Sequence, residues 1–305
     1  MKRYIFRRLI RAVITIIGIS IIVFSLVHVS GDPVALMLPP ESTKEDMEAM
    51  RISLGFDKPL YVQYWKFFSN AIQGDFGMSI RWQRPCMELF LERFPNTLLL
   101  GITSMIWALF MGLTVGILSA VYHGRWFDSF GKIIALVGQA LPVFWLGLML
   151  MVLFAEWLGW LPTSGIGTWQ QLILPSLTLG AVFAAAITRL TRSTMLDVMD
   201  SEYIKMARTL GIPERIVVIK QGFKNAAIPV LTLAALNFIV LINGTVITES
   251  IFNWPGIGRL SVEAIFARDY PVVQTIVLIA SSLFVFMNLL VDVLYAFIDP
   301  RIRYD

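Results

Sequence analysis

The feature that most constrains this chain is a series of long apolar runs without a single charged residue. Thr97 to Tyr122 is one, Ile133 to Ala155 a second, Asn225 to Thr248 a third and Pro271 to Val291 a fourth. A fifth, Leu172 to Thr188, is shorter and carries Pro175 and Gly180. A sixth, Ala12 to about Val29, follows a basic stretch holding Lys2, Arg3, Arg7, Arg8 and Arg11. Each is near the roughly 20 residues a helix needs to cross about 30 Å of hydrocarbon. The pattern predicts an all-α integral membrane protein with six transmembrane helices.

Composition points the same way. The chain is 57% hydrophobic and 15% charged, against roughly 25% charged in an average soluble domain. The first apolar run is too long for the core of a signal peptide, and Val29-Ser30-Gly31-Asp32-Pro33 offers no clean cleavage site, so the helix is retained. The basic residues are not clustered as a nucleic-acid surface requires. The single cysteine, Cys86, excludes an internal disulfide, and with two distant histidines it makes no metal or catalytic cluster.

Short-loop arginines and lysines set the expected orientation. With the N-terminus inside, the inner segments hold the N-terminal cluster, then Arg125 and Lys132, then a third group running from Arg189 to Lys224, and finally Arg301 and Arg303. The short outer loops hold only Arg259 and Arg268. Both termini are therefore expected in the cytoplasm.

Between the first two spans, Gly31 to Pro95 is polar. Ser42 with Glu45 forms a capping-box pattern ahead of Met47, Met50 and Leu54 at helical spacing. Pro59 opens a second helical stretch, Leu60 to Phe68, whose aromatic surface suits either the membrane interface or a small packed cap.

The other long interruption, Glu202 to Leu231, carries its own helix punctuation. Gly211 sits where a helix stops in a left-handed residue, and Pro213 sits at the first turn of the next. Ile212, Ile216, Val217, Ile219 and Phe223 recur at helical spacing, so one face wants burial, against lipid headgroups or a protein partner. A segment this long that is neither low-complexity nor purely polar is more than a connection.

Polar residues inside spans are candidates for a translocation path. Asn237, Leu241, Gly244 and Thr248 share one face of an assumed continuous helix. Inter-helix hydrogen bonding is the competing role for such an asparagine. Gln139 with Pro142 marks a candidate kink lining the path, and Glu249 ends its span where it can meet substrate or a gate. Asp292, His28 and His123 lie at span ends and read as structural or interfacial. Trp254-Pro255-Gly256-Ile257-Gly258 reads as a re-entrant turn at the outer mouth.

Several segments together resemble the permeases of ATP-binding-cassette (ABC) importers, in the peptide/nickel group. Ala207-Arg208-x-x-Gly211 and Asn225-Ala226-x-Ile228-Pro229 are similar to the two ends of that family's EAA loop. Gly31-Asp32-Pro33, Leu54-Gly55-Phe56-Asp57-Lys58-Pro59, Gly74-Asp75-Phe76-Gly77-Met78-Ser79 and Arg93-Phe94-Pro95-Asn96-Thr97 carry it through the first half. Phe252 to Arg259, Arg268-Asp269-Tyr270-Pro271 and Asp299-Pro300-Arg301 carry it to the end. In this order and spacing the set is highly specific. The acidic residue and first alanine that name the EAA loop align with Lys205 and Met206, and Glu202 on the same helical face partly takes the acid's place.

The resemblance implies an inner-membrane permease with a long periplasmic loop after helix 1 and a cytoplasmic coupling hairpin between helices 4 and 5. It implies residues 1–93 as the first transmembrane helix plus a periplasmic cap, and 94–305 as a five-helix permease core with coupling loop 189–228. Ala207, Arg208, Gly211, Ile212, Glu214 and Arg215 would carry coupling to the ATPase. The implied partners are a second homologous permease, two ATPases that bind ATP and Mg, and a periplasmic binding protein delivering short peptides. Glutathione and nickel chelate are the alternative cargoes. No Walker-A pattern occurs, so ATP hydrolysis is borrowed.

Three rival classes fare worse. A membrane serine protease built on Ser164-Gly165 lacks a histidine in a span interior. An ion-coupled secondary transporter would show repeated halves or mid-membrane charges, and a structural membrane protein would not need the hairpin.

Overall fold

The computed structural model describes residues 2–29, 43–55, 57–243 and 245–298. The first half forms α1 (Lys2–Val29), α2 (Lys44–Leu54), α3 (Leu60–Ile72), α4 (Cys86–Val121), α5 (Trp126–Ala140) and α6 (Val143–Met151). The second forms α7 (Trp169–Met199), α8 (Glu202–Thr209), α9 (Glu214–Ile216), α10 (Lys224–Asn243), α11 (Val246–Ile251), α12 (Ile257–Phe266) and α13 (Tyr270–Ile298). Val152–Trp157 and Val217–Phe223 are wound as π-helix. The only β pairing among the described residues is the bridge between Met78 and Pro85. Ser42, Gly31-Asp32-Pro33, Phe56, Gly244 and Asp299 to Arg303 lie outside the described residues.

Five helices are long and apolar enough to cross a membrane, and six spans result if the bent pair α5–α6 counts as one. In that pair the kink expected at Pro142 within Ile133 to Ala155 is a full break, the halves meeting at 107°. Pro142 is the cause: it lacks an N–H, and its ring pushes the preceding residue out of the helical region. Leu141 accordingly adopts ψ 130°. The run expected to end at Thr188 instead continues as helix α7 to Met199. Arg189 and Arg192 stay within it because each finds a side-chain partner on α5, Gln139 and Asp128. The stretch Asn225 to Thr248 is likewise not one helix, since α10 ends at Asn243 and Thr245 stands ahead of α11.

The chain divides into two compact units, Met1–Pro95 with Gly256–Asp305, and Asn96–Pro255. In the first, α1 lies along α13 and against α3. Ser20 and Tyr64 share a hydrogen bond at 2.8 Å, and Phe24 meets the Tyr64 ring edge-on. Thus α3 turns Tyr64 inward and leaves Tyr61 and Trp65 exposed. Cys86, Leu89 and Phe90 pack with Ile257, Leu260 and Val272.

The second unit is built around α7, which touches α5, α6 and α10. Small residues bring α4 and α7 close, as in many membrane helix pairs. A Cβ at Gly116 would stand 2.9 Å from the Thr188 carbonyl oxygen, and one at Gly180 would stand 2.7 Å from that of Ser104. Leu100, Ile187, Val230, Leu241 and Trp254 form the core of this unit.

Candidate functional site: the hairpin between α7 and α10

The hairpin is closed by backbone geometry that the sequence announces. Gly211 takes φ +76°, a region open to glycine at little cost. Its N–H donates to the Arg208 carbonyl at 3.0 Å, and the Ile212 N–H donates to that of Ala207 at 3.2 Å. These are the two bonds of a Schellman ending. Ile212 completes the motif by packing against Ile204, Ala207 and Val217. Pro213 stands one residue ahead of the next helix, at ψ 134°, rather than within its first turn.

Across this turn Arg208 and Glu214 form a two-pronged ion pair. Nη2 donates to Oε1 at 2.7 Å and Nε to Oε2 at 3.2 Å. Hydrogen bonding to Glu214 raises the Arg208 pKa above its ordinary value. Both residues are therefore engaged within the hairpin, while Arg215 is exposed. Lys205 pairs with Glu202 at 3.1 Å and with Asp200 at 3.4 Å, so the acid beside the EAA position is neutralised locally.

The hairpin has a buried side and an open one. Ile204, Ala207 and Val217 are buried against Val198 and Met199 at the end of α7. Tyr203, Met206 and Leu210 are exposed. The expected apolar face splits: Val217 is buried, Ile212 and Phe223 half-buried, and Ile216 and Ile219 exposed. From Val217 to Phe223 the helix is π-wound, so a 3.6-residue spacing no longer keeps a face aligned. Here Gly222 approaches α7, where a Cβ would lie 3.1 Å from Met199 Sδ. Met195, Ala120, Val218 and Ala226 continue the packing from the hairpin into α7, α4 and α10.

A second charged centre has no local signature in the sequence. Asp128 is fully buried and accepts bonds from Arg192 Nε at 2.6 Å and Nη2 at 2.9 Å. Lys132 Nζ lies 3.0 Å away, the Gly124 N–H 3.1 Å and His123 Nδ1 3.2 Å. The cluster ties the end of α4, the start of α5 and the last turns of α7 together. His123 thus stands at an ion pair as well as at a span end.

The candidate path residues separate by burial. Gln139 is exposed and bonded to Arg189. Asn237 is half-buried, and its Nδ2 has no hydrogen-bond partner among the described residues. Thr248 Oγ1 is buried in the same condition, one element further on. Leu241 belongs to the apolar core. Glu249 is fully buried and accepts a 2.6 Å bond from Thr97 Oγ1.

Segments that carry the family resemblance pair with one another as halves of the same fastening. Ser79 Oγ donates to Asp269 at 2.5 Å and the Arg81 N–H donates to the same oxygen at 3.0 Å. Trp254 Nε1 donates to the Asn96 carbonyl and Asn96 Nδ2 to that of Pro255, both at 2.9 Å. The segment around Trp254 is therefore a buried, bolted turn, with Asn253 at φ +52°.

Among the described residues the fold is helical, with five or six apolar spans and a packed hairpin between two of them, the architecture of a multi-pass membrane protein. Residues 112–304 match the family described as binding-protein-dependent transport system inner membrane component, and residues 1–101 match its N-terminal region. The chain belongs to this family and is the inner-membrane permease component of an ABC importer. It is 46% identical over 305 residues to the glutathione transport system permease protein GsiC of Escherichia coli strain K12, covering 100% of both chains. The GsiC protein of Salmonella paratyphi A is equally similar, at 46% identity with 100% of both chains covered. Among solved structures, a chain of the inward-facing MetNI methionine ABC transporter superposes with a TM-score of 0.58. It shares 18% identity and covers 70% of this chain and 97% of its own, a likeness of fold. The family is a membrane permease component and not itself catalytic, and a permease of an ABC importer implies ATPase and binding-protein partners.

Proposed function

We propose that this permease translocates short peptides, with glutathione, itself a tripeptide, as the leading candidate. The full-length 46% identity to the glutathione permeases carries this reading. In it, two ATPases and a second permease assemble with this chain, and an external binding protein delivers the cargo. The chain crosses the membrane six times with both termini in the cytoplasm. Residues 1–93 form the first span and outer cap, and 94–305 form the core with coupling loop 189–228.

The hairpin receives the ATPase through Tyr203, Met206 and Leu210, the exposed side of α8. Ala207, Ile212 and the Arg208–Glu214 pair hold its shape, and Arg215 and Gly211 set its outer edge and turn. Because Ile204 and Val217 are locked onto the end of α7, a push on α8 moves α7 and α10 as levers. The path is lined by Gln139 and Asn237, with Thr248 buried behind them. An unpartnered buried polar group costs on the order of 1–3 kcal/mol, and a passing peptide bond supplies the missing partner for Asn237 Nδ2. Leu241 and Glu249, fully buried, brace that lining.

The test is uptake of radiolabelled glutathione, a dipeptide and a nickel chelate into cells that depend on this permease. Glutathione or dipeptide uptake above the chelate supports the proposal; chelate uptake alone refutes it. Gly211→Pro, whose ring cannot adopt φ +76°, is expected to abolish uptake while membrane insertion is retained. Normal ATP-driven uptake in that variant would sink the coupling role of the hairpin.

A further inference from the structure

Between Lys132 and Arg189 the chain holds a single charged residue, Glu156, and three of its nine tryptophans fall within thirteen residues there. Trp157, Trp160 and Trp169 are 76%, 69% and 71% exposed, and Leu158 and Ile166 between them are exposed as well. So much bare apolar surface on one short loop marks a face that something else covers. The loop is held in shape. The Trp160 and Leu161 N–H groups donate to the Phe154 carbonyl at 2.9 and 3.2 Å, and the Phe154 and Trp160 rings stand 6.0 Å apart. At its other end Gln171 accepts from the Thr168 N–H at 2.9 Å and donates to the Ser164 carbonyl at 3.3 Å.

Two arguments bracket the depth of this loop. Helix α7 is uncharged from Trp169 to Thr188, and from Arg189 back to Trp169 its axis advances about 30 Å, the thickness of a bilayer's hydrocarbon. With Arg189 and Arg192 at one boundary, Trp169 reaches the other. The loop does not belong deeper than that. Gly159, Gly165 and Gly167 take φ +62°, +104° and +135°, and peptide groups in so irregular a backbone need partners that hydrocarbon lacks. Water alone would leave three indoles bare. The headgroup layer between the two takes their rings and accepts from their N–H groups.

We propose that the 157–169 loop lies in the headgroup layer of the membrane as an interfacial anchor, its three tryptophans seated among lipids without need of anionic ones. No lysine or arginine occurs from Ile133 to Thr188 to draw an anionic headgroup, and the exposed Glu156 carboxylate repels one. Because α7 is continuous from Trp169 to Met199, seating Trp169 sets the height at which the hairpin leaves the opposite face.

The permease in its transporter complex is reconstituted in phosphatidylcholine brominated either near the headgroup or near the acyl-chain end. Tryptophan fluorescence of wild type is then compared with that of Trp157→Phe/Trp160→Phe/Trp169→Phe. The difference signal, which belongs to these three rings, is expected to be quenched about twofold more by the shallow bromine than by the deep one. Mixing in phosphatidylglycerol is expected to leave that quenching unchanged. Should the triple variant fail to assemble, a nitroxide at Ile166→Cys keeps every tryptophan, and the buried Cys86 stays unlabelled. That nitroxide is expected to be relaxed more by oxygen and less by a water-soluble nickel chelate than free label in water. A difference signal that neither lipid quenches overturns the proposal, as does a nitroxide relaxed like free label. Stronger quenching by the deep bromine places the loop in hydrocarbon, a rise with phosphatidylglycerol marks an anionic site, and a signal that moves only on adding a binding protein gives the face to that partner. Each of these overturns it too.

Discussion

Two ion-paired centres stand in the same compact unit and are built in opposite ways. Asp128 is fully buried and surrounded by Arg192, Lys132 and the Gly124 N–H. Arg208 and Glu214 pair just as closely, at 2.7 Å, but their side chains are 42% and 56% exposed. A buried pair is costly to break from one side, because the partner left behind keeps its charge out of water. An exposed pair contributes little and is screened by salt. The first centre therefore fixes a frame of three helices, and the second shapes a turn that remains free to meet a partner.

The largest effect is expected at the frame. Asp128→Ala leaves Arg192, 20% exposed, without its carboxylate, while Lys132, 52% exposed, stays hydrated, and should cost about 3 kcal/mol, read as a large drop in melting temperature in detergent. Asp128→Asn with Arg192→Gln should cost less than the sum of the single changes, as residues of one network do. An unchanged melting point in Asp128→Ala would end the contrast. Gly180→Ala tests the same frame without charge: the new methyl would press on the Ser104 carbonyl at 2.7 Å, and a loss of about 1–3 kcal/mol is expected.

At the hairpin the effects shrink. A Cβ at Gly211 meets nothing within 4 Å, so Gly211→Ala incurs only the left-handed strain, about 1–2 kcal/mol. Local hydrogen exchange at Leu210 to Pro213 would register it. Arg208→Ala should cost less than about 1 kcal/mol, and less again at high salt. Salt titration of the melting point then separates the centres: the Arg208 contribution fades and that of Asp128 persists. A salt-independent loss in Arg208→Ala would show that the turn, too, belongs to the rigid frame.

The spans were legible because lipid imposes a length on apolar runs, and the turn because Gly211-Ile212-Pro213 admits few backbones. Pro142 marked a break, but not its 107° angle, which depends on how α5 and α6 each lie on α7. Asp128 and Arg192 stand 64 residues apart, and no local period links them. Leu241 and Thr248 share one face only of a helix continuous past Asn243, where α10 ends. Glu249 shows the limit of reading polarity as exposure: it lies fully buried, with the Thr97 hydroxyl donating to it. The pairing of Ser79 with Asp269, 190 residues apart, joins two segments that the sequence presents only as separate words.

The π-wound stretch from Val217 to Phe223 has a consequence for timing along the helix. A π turn holds roughly one residue more than an α turn, and one residue of α-helix is about 100° of rotation. Everything beyond Phe223, Asn237 included, is therefore clocked against the hairpin by that extra residue. Deleting a single residue between Val217 and Phe223 lets the stretch rewind as α-helix and keeps every later side chain in phase with its neighbours in α7. Deleting one beyond Lys224 shifts the phase of α10 instead. The same loss of mass would be silent in the first place and ruinous in the second.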